Sequence, residues 1–158
     1  SKYKYVLFSD SDLATPIDEL RKLQKFIEDY NVVIASRNLP GSMIPQKQPF
    51  YRRMLGKTFP LLVRALTLRG IKDTQCGFKL FKTSVAKKIV RYQKFEGFAF
   101  DVEQLYIARK LGYKIKEVPV RWIDQEGSKL NPLKDSFSML KDLIKLRYMD
   151  LTGHYPTR

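Results

Sequence analysis

Two carboxylates one residue apart, Asp10 and Asp12, close the apolar run Tyr5-Val6-Leu7-Phe8. A short apolar run that ends abruptly on polar residues reads as a buried strand, and in open α/β sheets ligands collect at the carboxyl ends of strands. Two hard oxygen donors spaced i, i+2 at such an end can share one divalent cation. Mg²⁺ in particular takes one or two carboxylates and fills its other positions with water and substrate phosphate. The pair therefore outlines a nucleotide-diphosphate site, although the same residues would also serve as a solvated turn and helix cap.

Other stretches carry polar groups to strand and helix ends. Arg37 follows the apolar run Val32 to Ala35, so it faces the same cleft, where it would bind phosphate through its planar fork or else pair with Asp10. Asp73 and Gln75 place an acid and an amide just ahead of a strand expected from Gly77 to Phe81. Asp101 stands where it can cap a helix, with Glu103 in that helix's first turn, favoured there by the macrodipole whatever else it does. Gly127 to Pro132, with Ser128 and Lys129, is a short basic loop of the kind that wraps phosphate or simply connects.

The elements that must position these residues alternate in type. The order reads strand, helix, strand, long helical region, strand, two helices, strand, helix, which favours an α/β sheet covered by helices. Strands are expected at Val6 to Ser9, Val32 to Ala35, Gly77 to Phe81 and Ile115 to Trp122, of which two or three would be parallel. Thr15 and Pro16 start a helix with Thr15 as cap, followed by the stripe Ile17, Leu20, Leu23, Phe26 and Ile27. Further helices are expected at Ser84 to Tyr92, at Asp101 to Leu111 with Gly112 closing it, and at Pro132 to Tyr148. Leu39 to Pro49 is a loop, and Phe50 to Arg69 reads as helical with a break at Pro60.

The chain has 158 residues, 44% of them hydrophobic, enough for one ordinary core in a single domain spanning 1–158. Lysine and arginine number 30 against 16 acidic residues, a net charge of +14 that points to anionic partners: nucleic acid, lipid headgroups or phosphorylated substrates. A nucleic-acid-binding module would interleave aromatics with its basic residues; here the aromatics follow apolar strand and helix patterns. Cys76 is the single cysteine, so no internal disulfide forms. No apolar stretch approaches the roughly 20 residues that span a bilayer. From about 49 to 69, Arg53, Lys57 and Arg64 fall within about 40° on a helical wheel, beside Phe50, Met54, Phe59, Leu62 and Leu66, a basic amphipathic pattern suited to a membrane interface.

Taken together, Asp10-Ser-Asp12, Ser36-Arg37, Arg52 to Gly56, Asp73-Thr-Gln-Cys-Gly-Phe-Lys-Leu-Phe81, Phe98-Ala-Phe-Asp-Val-Glu103, Glu126-Gly-Ser-Lys-Leu130 and Leu151-Thr-Gly153 resemble the family 2 glycosyltransferases. The resemblance is specifically to the dolichyl-phosphate β-glucosyltransferase branch, with the dolichyl-phosphate mannosyltransferases less similar. It implies a GT-A fold, of which this chain would be the C-terminal portion with the N-terminal nucleotide-binding half missing. It also implies inverting transfer of glucose from UDP-glucose to dolichyl or polyprenyl phosphate, at the cytoplasmic face of the endoplasmic reticulum in a eukaryote or the plasma membrane in a prokaryote. Asp12 would ligate Mg²⁺ or Mn²⁺ directly and Asp10 would bridge metal and donor. Asp73, Gln75, Asp101 and Glu103 would join the catalytic set, the last two as base or as donor-sugar contacts. Arg37, Arg52, Ser128 and Lys129 would hold the acceptor phosphate. Competing readings are a paralogue using another donor, such as GDP-mannose, or another polyprenyl acceptor, and a non-catalytic basic membrane-surface or nucleic-acid-binding module.

Overall fold

The computed structural model describes residues 2–44, 67–97, 99–123 and 132–156. Its sheet has four strands, β1 (Tyr5–Ser9), β2 (Val32–Ser36), β3 (Phe78–Lys82) and β4 (Ile115–Pro119), in the spatial order β1-β3-β2-β4. β2 and β4 pair parallel, while β3 pairs antiparallel with both β1 and β2. Three strands thus share one direction, as the sequence suggests, but the fourth runs against them between β1 and β2. The sheet is therefore mixed, and β3 leads directly into α2 (Thr83–Tyr92).

Strand alternation divides the apolar residues between two faces. Val33 and Ala35 of β2, Phe78 and Leu80 of β3 and Val118 of β4 pack with Leu23 of α1 (Leu20–Gln24) and with Ile27. On the opposite face Val32, Ile34 and Phe81 meet α2, α3 (Ala99–Lys110) and α4 (Pro132–Leu151), through Val85, Ile89, Val102, Leu105, Leu143 and Leu146 among others. β2 is buried along its whole length because it is covered on both faces and paired on both edges.

The first helix differs from expectation. A 3-10 turn, Ile17–Glu19, precedes only five α-helical residues, and Pro16 holds the cap position without a side-chain hydrogen bond. Thr15 is buried and turns its hydroxyl toward Cys76 Sγ at 3.8 Å, so it is unavailable as a cap. Ile17, expected in the stripe, is 58% exposed. Gly112, at φ +76°, does close α3, with Tyr113 N–H donating to Ala108 O at 3.0 Å. Residues 49–66 of the basic segment, Arg52 among them, lie outside the described residues, as do Phe98 and the loop carrying Ser128 and Lys129, while its last three residues, Thr67 to Arg69, form a turn where helix was expected. Among the described residues no helix is long and apolar enough to cross a membrane.

Candidate functional site

The sheet order brings the carboxyl ends of β1, β2 and β4 and the amino end of β3 to one rim. Asp10 leaves β1 there and donates its N–H to Gly77 O at 2.8 Å. Its carboxylate lies on Gly77 so closely that a Cβ built on that glycine would overlap the Asp10 carboxyl carbon and both oxygens. A residue without a side chain is therefore required at 77 for Asp10 to stay where it is.

After Asp10 the chain turns sharply. Leu13 N–H donates to Asp10 O at 3.3 Å, Ala14 N–H donates to Asp12 Oδ1 at 3.0 Å, and Leu13 takes φ +51°. A branched residue in the left-handed region is held there at a cost of order 1 kcal/mol, the kind of local strain that clusters at functional turns. The turn leaves both Asp10 and Asp12 exposed.

Beneath them lies a cation that the sequence reading did not assign. Lys79 of β3 stands opposite Phe8 in the sheet, shares a face with Phe81 and is fully buried. Its ammonium bonds to Asp101 Oδ1 and lies 5.3 Å from the centre of the Phe8 ring. Desolvation, then the charges of Asp101 and Asp12, push the Asp10 carboxyl above its ordinary value, while Lys79 and Arg37 pull the other way. The one signal in the sequence was a lysine inside an apolar five-residue strand, at a position that alternation turns inward.

Arg37 does not pair with Asp10. Its Nε donates to Asp73 Oδ2 at 2.8 Å, its Nη2 to Asp73 Oδ1 at 2.9 Å and its backbone N–H to Oδ2 at 2.8 Å. Burial alone would raise the Asp73 carboxyl; the Arg37 charge and these hydrogen bonds overcome that and hold it below the ordinary range. The loop carrying Asp73 is fastened in turn by Glu117 of β4, which accepts the N–H groups of Lys72 and Asp73 at 2.9 Å each. The Arg37 guanidinium also lies 5.5 Å from the Trp122 ring. Asp73, 2% exposed, is thus fully engaged by Arg37, whose guanidinium it orients.

The remaining residues separate. Gln75 is half-buried and its Nε2 meets Met139 Sδ of α4 at 3.3 Å. Asp101 lies inside the first turn of α3, which starts at Ala99, so it faces Lys79 and does not cap the helix. Glu103 is fully buried a further half-turn on, where it accepts the N–H groups of Lys94 at 2.9 Å and Phe95 at 2.9 Å and the hydroxyl of Tyr155 at 2.5 Å. That arrangement ties the α2–α3 connection and the C-terminal Tyr155 to α3, away from the rim.

Asp10, Asp12, Lys79, Asp101 and the Arg37–Asp73 pair therefore form the candidate site. Among the described residues no three protein ligands gather as a metal centre of their own. Two carboxylates at the rim, one of them destabilised in its charged form by desolvation and then by like charges, still fit a hard divalent cation whose other positions come from water and phosphate oxygens.

The profile described as Glycosyl transferase family 2 matches residues 1–90. The chain is 40% identical over 159 residues to a dolichyl-phosphate beta-glucosyltransferase of Dictyostelium discoideum, covering 97% of this chain and 49% of that protein. It is 38% identical to the protein of the same description from Homo sapiens, again over 97% of this chain and 49% of the relative. For the one from Saccharomyces cerevisiae the identity is 36%, with 96% and 49% covered. The chain spans about half the length of the curated relatives it matches.

Proposed function

This chain belongs to glycosyl transferase family 2, and from that premise we propose that it takes part in inverting transfer of glucose from UDP-glucose to dolichyl or another polyprenyl phosphate at the cytoplasmic face of a membrane. The observation that carries the reading is the Asp10–Asp12 turn seated on Gly77, with Arg37 held at the neighbouring strand end. Acidic groups for a cation and a fixed guanidinium for an anion share one rim. That combination suits a reaction in which one phosphate leaves and another attacks.

Asp12 and Asp10 would hold Mg²⁺ or Mn²⁺, and the ion would supply stabilisation of the charge that grows on the departing nucleoside diphosphate. The acceptor is already an anion: its phosphate oxygen bonds to the anomeric carbon as the bond to the donor diphosphate breaks, so no strong base need remove a proton. Asp101, paired with Lys79, suits a sugar-positioning role better than a base, since its bonding oxygen is engaged by an ammonium. Arg37 offers the acceptor phosphate a guanidinium whose orientation Asp73 has set in advance, which spares the ordering cost of a free side chain. Arg52, Ser128 and Lys129 are proposed as further acceptor contacts on the resemblance alone.

Transfer of labelled glucose tests this in the intact enzyme. UDP-glucose should serve as donor to dolichyl phosphate, Asp12→Ala should abolish transfer, and Asp10→Asn should slow it less. Full activity in excess EDTA, or equal use of GDP-mannose, would overturn the assignment.

A further inference from the structure

Among the described residues, α4 collects four exposed large apolar side chains. Phe137 is 75% exposed, Ile144 58%, Tyr148 65% and Leu151 78%. At about 100° per residue they fall within about 60° of one another and form a stripe about 21 Å long. The opposite side of the same helix supplies Met139, Leu143 and Leu146 to the core.

Charge is sorted around the stripe as well. Lys141 and Lys145 are exposed along one border. Arg147 stands at the other border and is 41% exposed. Of the carboxylates on the described side chains of α4, Asp142 falls on the inward half of the wheel. Asp150 is held inward too, accepting from the Tyr106 hydroxyl at 2.5 Å and pairing with Lys110 at 2.8 Å. The outward half therefore offers apolar groups and cations without an acid among them. Apolar groups edged by lysine and arginine, with no acid among them, complement anionic lipid.

The helix is also tied to the segment between two residues of the rim, Asp73 and Gly77, because Met139 in its first half receives the amide of Gln75. We propose that α4 is an interfacial helix: the stripe from Phe137 to Leu151 lies in an anionic lipid surface with Lys141 and Lys145 among the headgroups, and its Met139 end carries the Gln75 loop to that surface. The lipid contact stands on the helix itself. Only its use, delivery of a lipid-borne phosphate to the rim, rests on the function proposed above.

Flotation with phosphatidylcholine vesicles, with and without phosphatidylserine, tests the contact without any glucosyl transfer, so its failure would leave the proposed reaction standing. The chain should float with the anionic vesicles, more weakly with neutral ones, and the combined variant Phe137→Ser, Ile144→Ser, Leu151→Ser should bind about tenfold less or worse. These positions are exposed, so thermal unfolding of the variant should match the parent. As a second readout, the Tyr148→Trp variant should show blue-shifted emission on adding anionic vesicles. Undiminished vesicle binding by the combined variant, unshifted emission, or loss of a self-associated species in its place would each overturn the proposal.

Discussion

Asp10 is kept at the rim by a neighbour that has no side chain. Gly77→Ala should push the Asp10 carboxylate aside, since the new methyl would occupy its place. Activity should fall by at least tenfold in the intact enzyme with little change in melting temperature, and restored activity in a Gly77→Ala enzyme at high Mn²⁺ would show that displacement weakens the cation's hold. A second expectation concerns charge. The folded-state value of Asp10 is raised, so folding favours its protonated form, and the ionised carboxylate opposes stability at neutral pH. Asp10→Asn should therefore raise the melting temperature at pH 7 while lowering activity. That gain should shrink as pH falls through the raised value and vanish below the unfolded one, which scanning calorimetry across pH would follow. The acids themselves were legible in the sequence because they end an apolar run. Lys79 was not, because a lysine in a strand is normally turned to solvent, and only the presence of α3 over that face buries it.

Between elements, the fastening of Arg37 shows what local sequence could not supply. Arg37, Asp73 and Glu117 come from β2, a loop and β4, and nothing in the neighbourhood of any one of them names its partner. The strands were readable, with ends within a residue or two, except that Ile115 to Trp122 proved shorter, ending at Pro119. The direction of β3 was not readable, because alternation is the same for a strand running either way. Arg37→Ala should leave the buried Asp73 charge without its partner and cost about 3 kcal/mol of stability. A loss of acceptor use in that variant consequently needs a melting curve beside it, and Arg37→Lys, which keeps the charge but not the fork, is the cleaner kinetic probe: acceptor KM should rise while UDP-glucose affinity holds. The low value of Asp73 gives this pair a pH signature opposite to that of Asp10. Its stabilisation is present at neutral pH and lost as acid titrates the carboxylate below its unfolded range. Glu103→Gln should destabilise by about 2 kcal/mol through lost acceptance from Lys94, Phe95 and Tyr155, whatever its effect on rate.

For the whole molecule, a charge of +14 sets the approach to its partners. Substituting Arg53, Lys57 and Arg64 together by glutamine should weaken binding to anionic vesicles, and the difference from the parent should narrow as salt is raised and the Debye length falls below about 8 Å. Vesicle binding unchanged in that variant would assign those residues to ordinary surface. The overall α/β class and the family were legible because several separate motifs agree over nearly the full chain. The strand inserted against its neighbours has a further consequence, in time. The candidate site is closed by contacts between residues 36 positions apart, for Arg37 and Asp73, and 44 apart, for Asp73 and Glu117. Contacts of such separation are made late, after the loops between them have been drawn shut. During synthesis Asp10 and Asp12 leave the ribosome long before Gly77, Lys79 or Asp101 exist to receive them, so the nascent chain carries its acids without their setting. In refolding experiments, recovery of the site should coincide with the last and slowest phase, and should never precede the burial of β2.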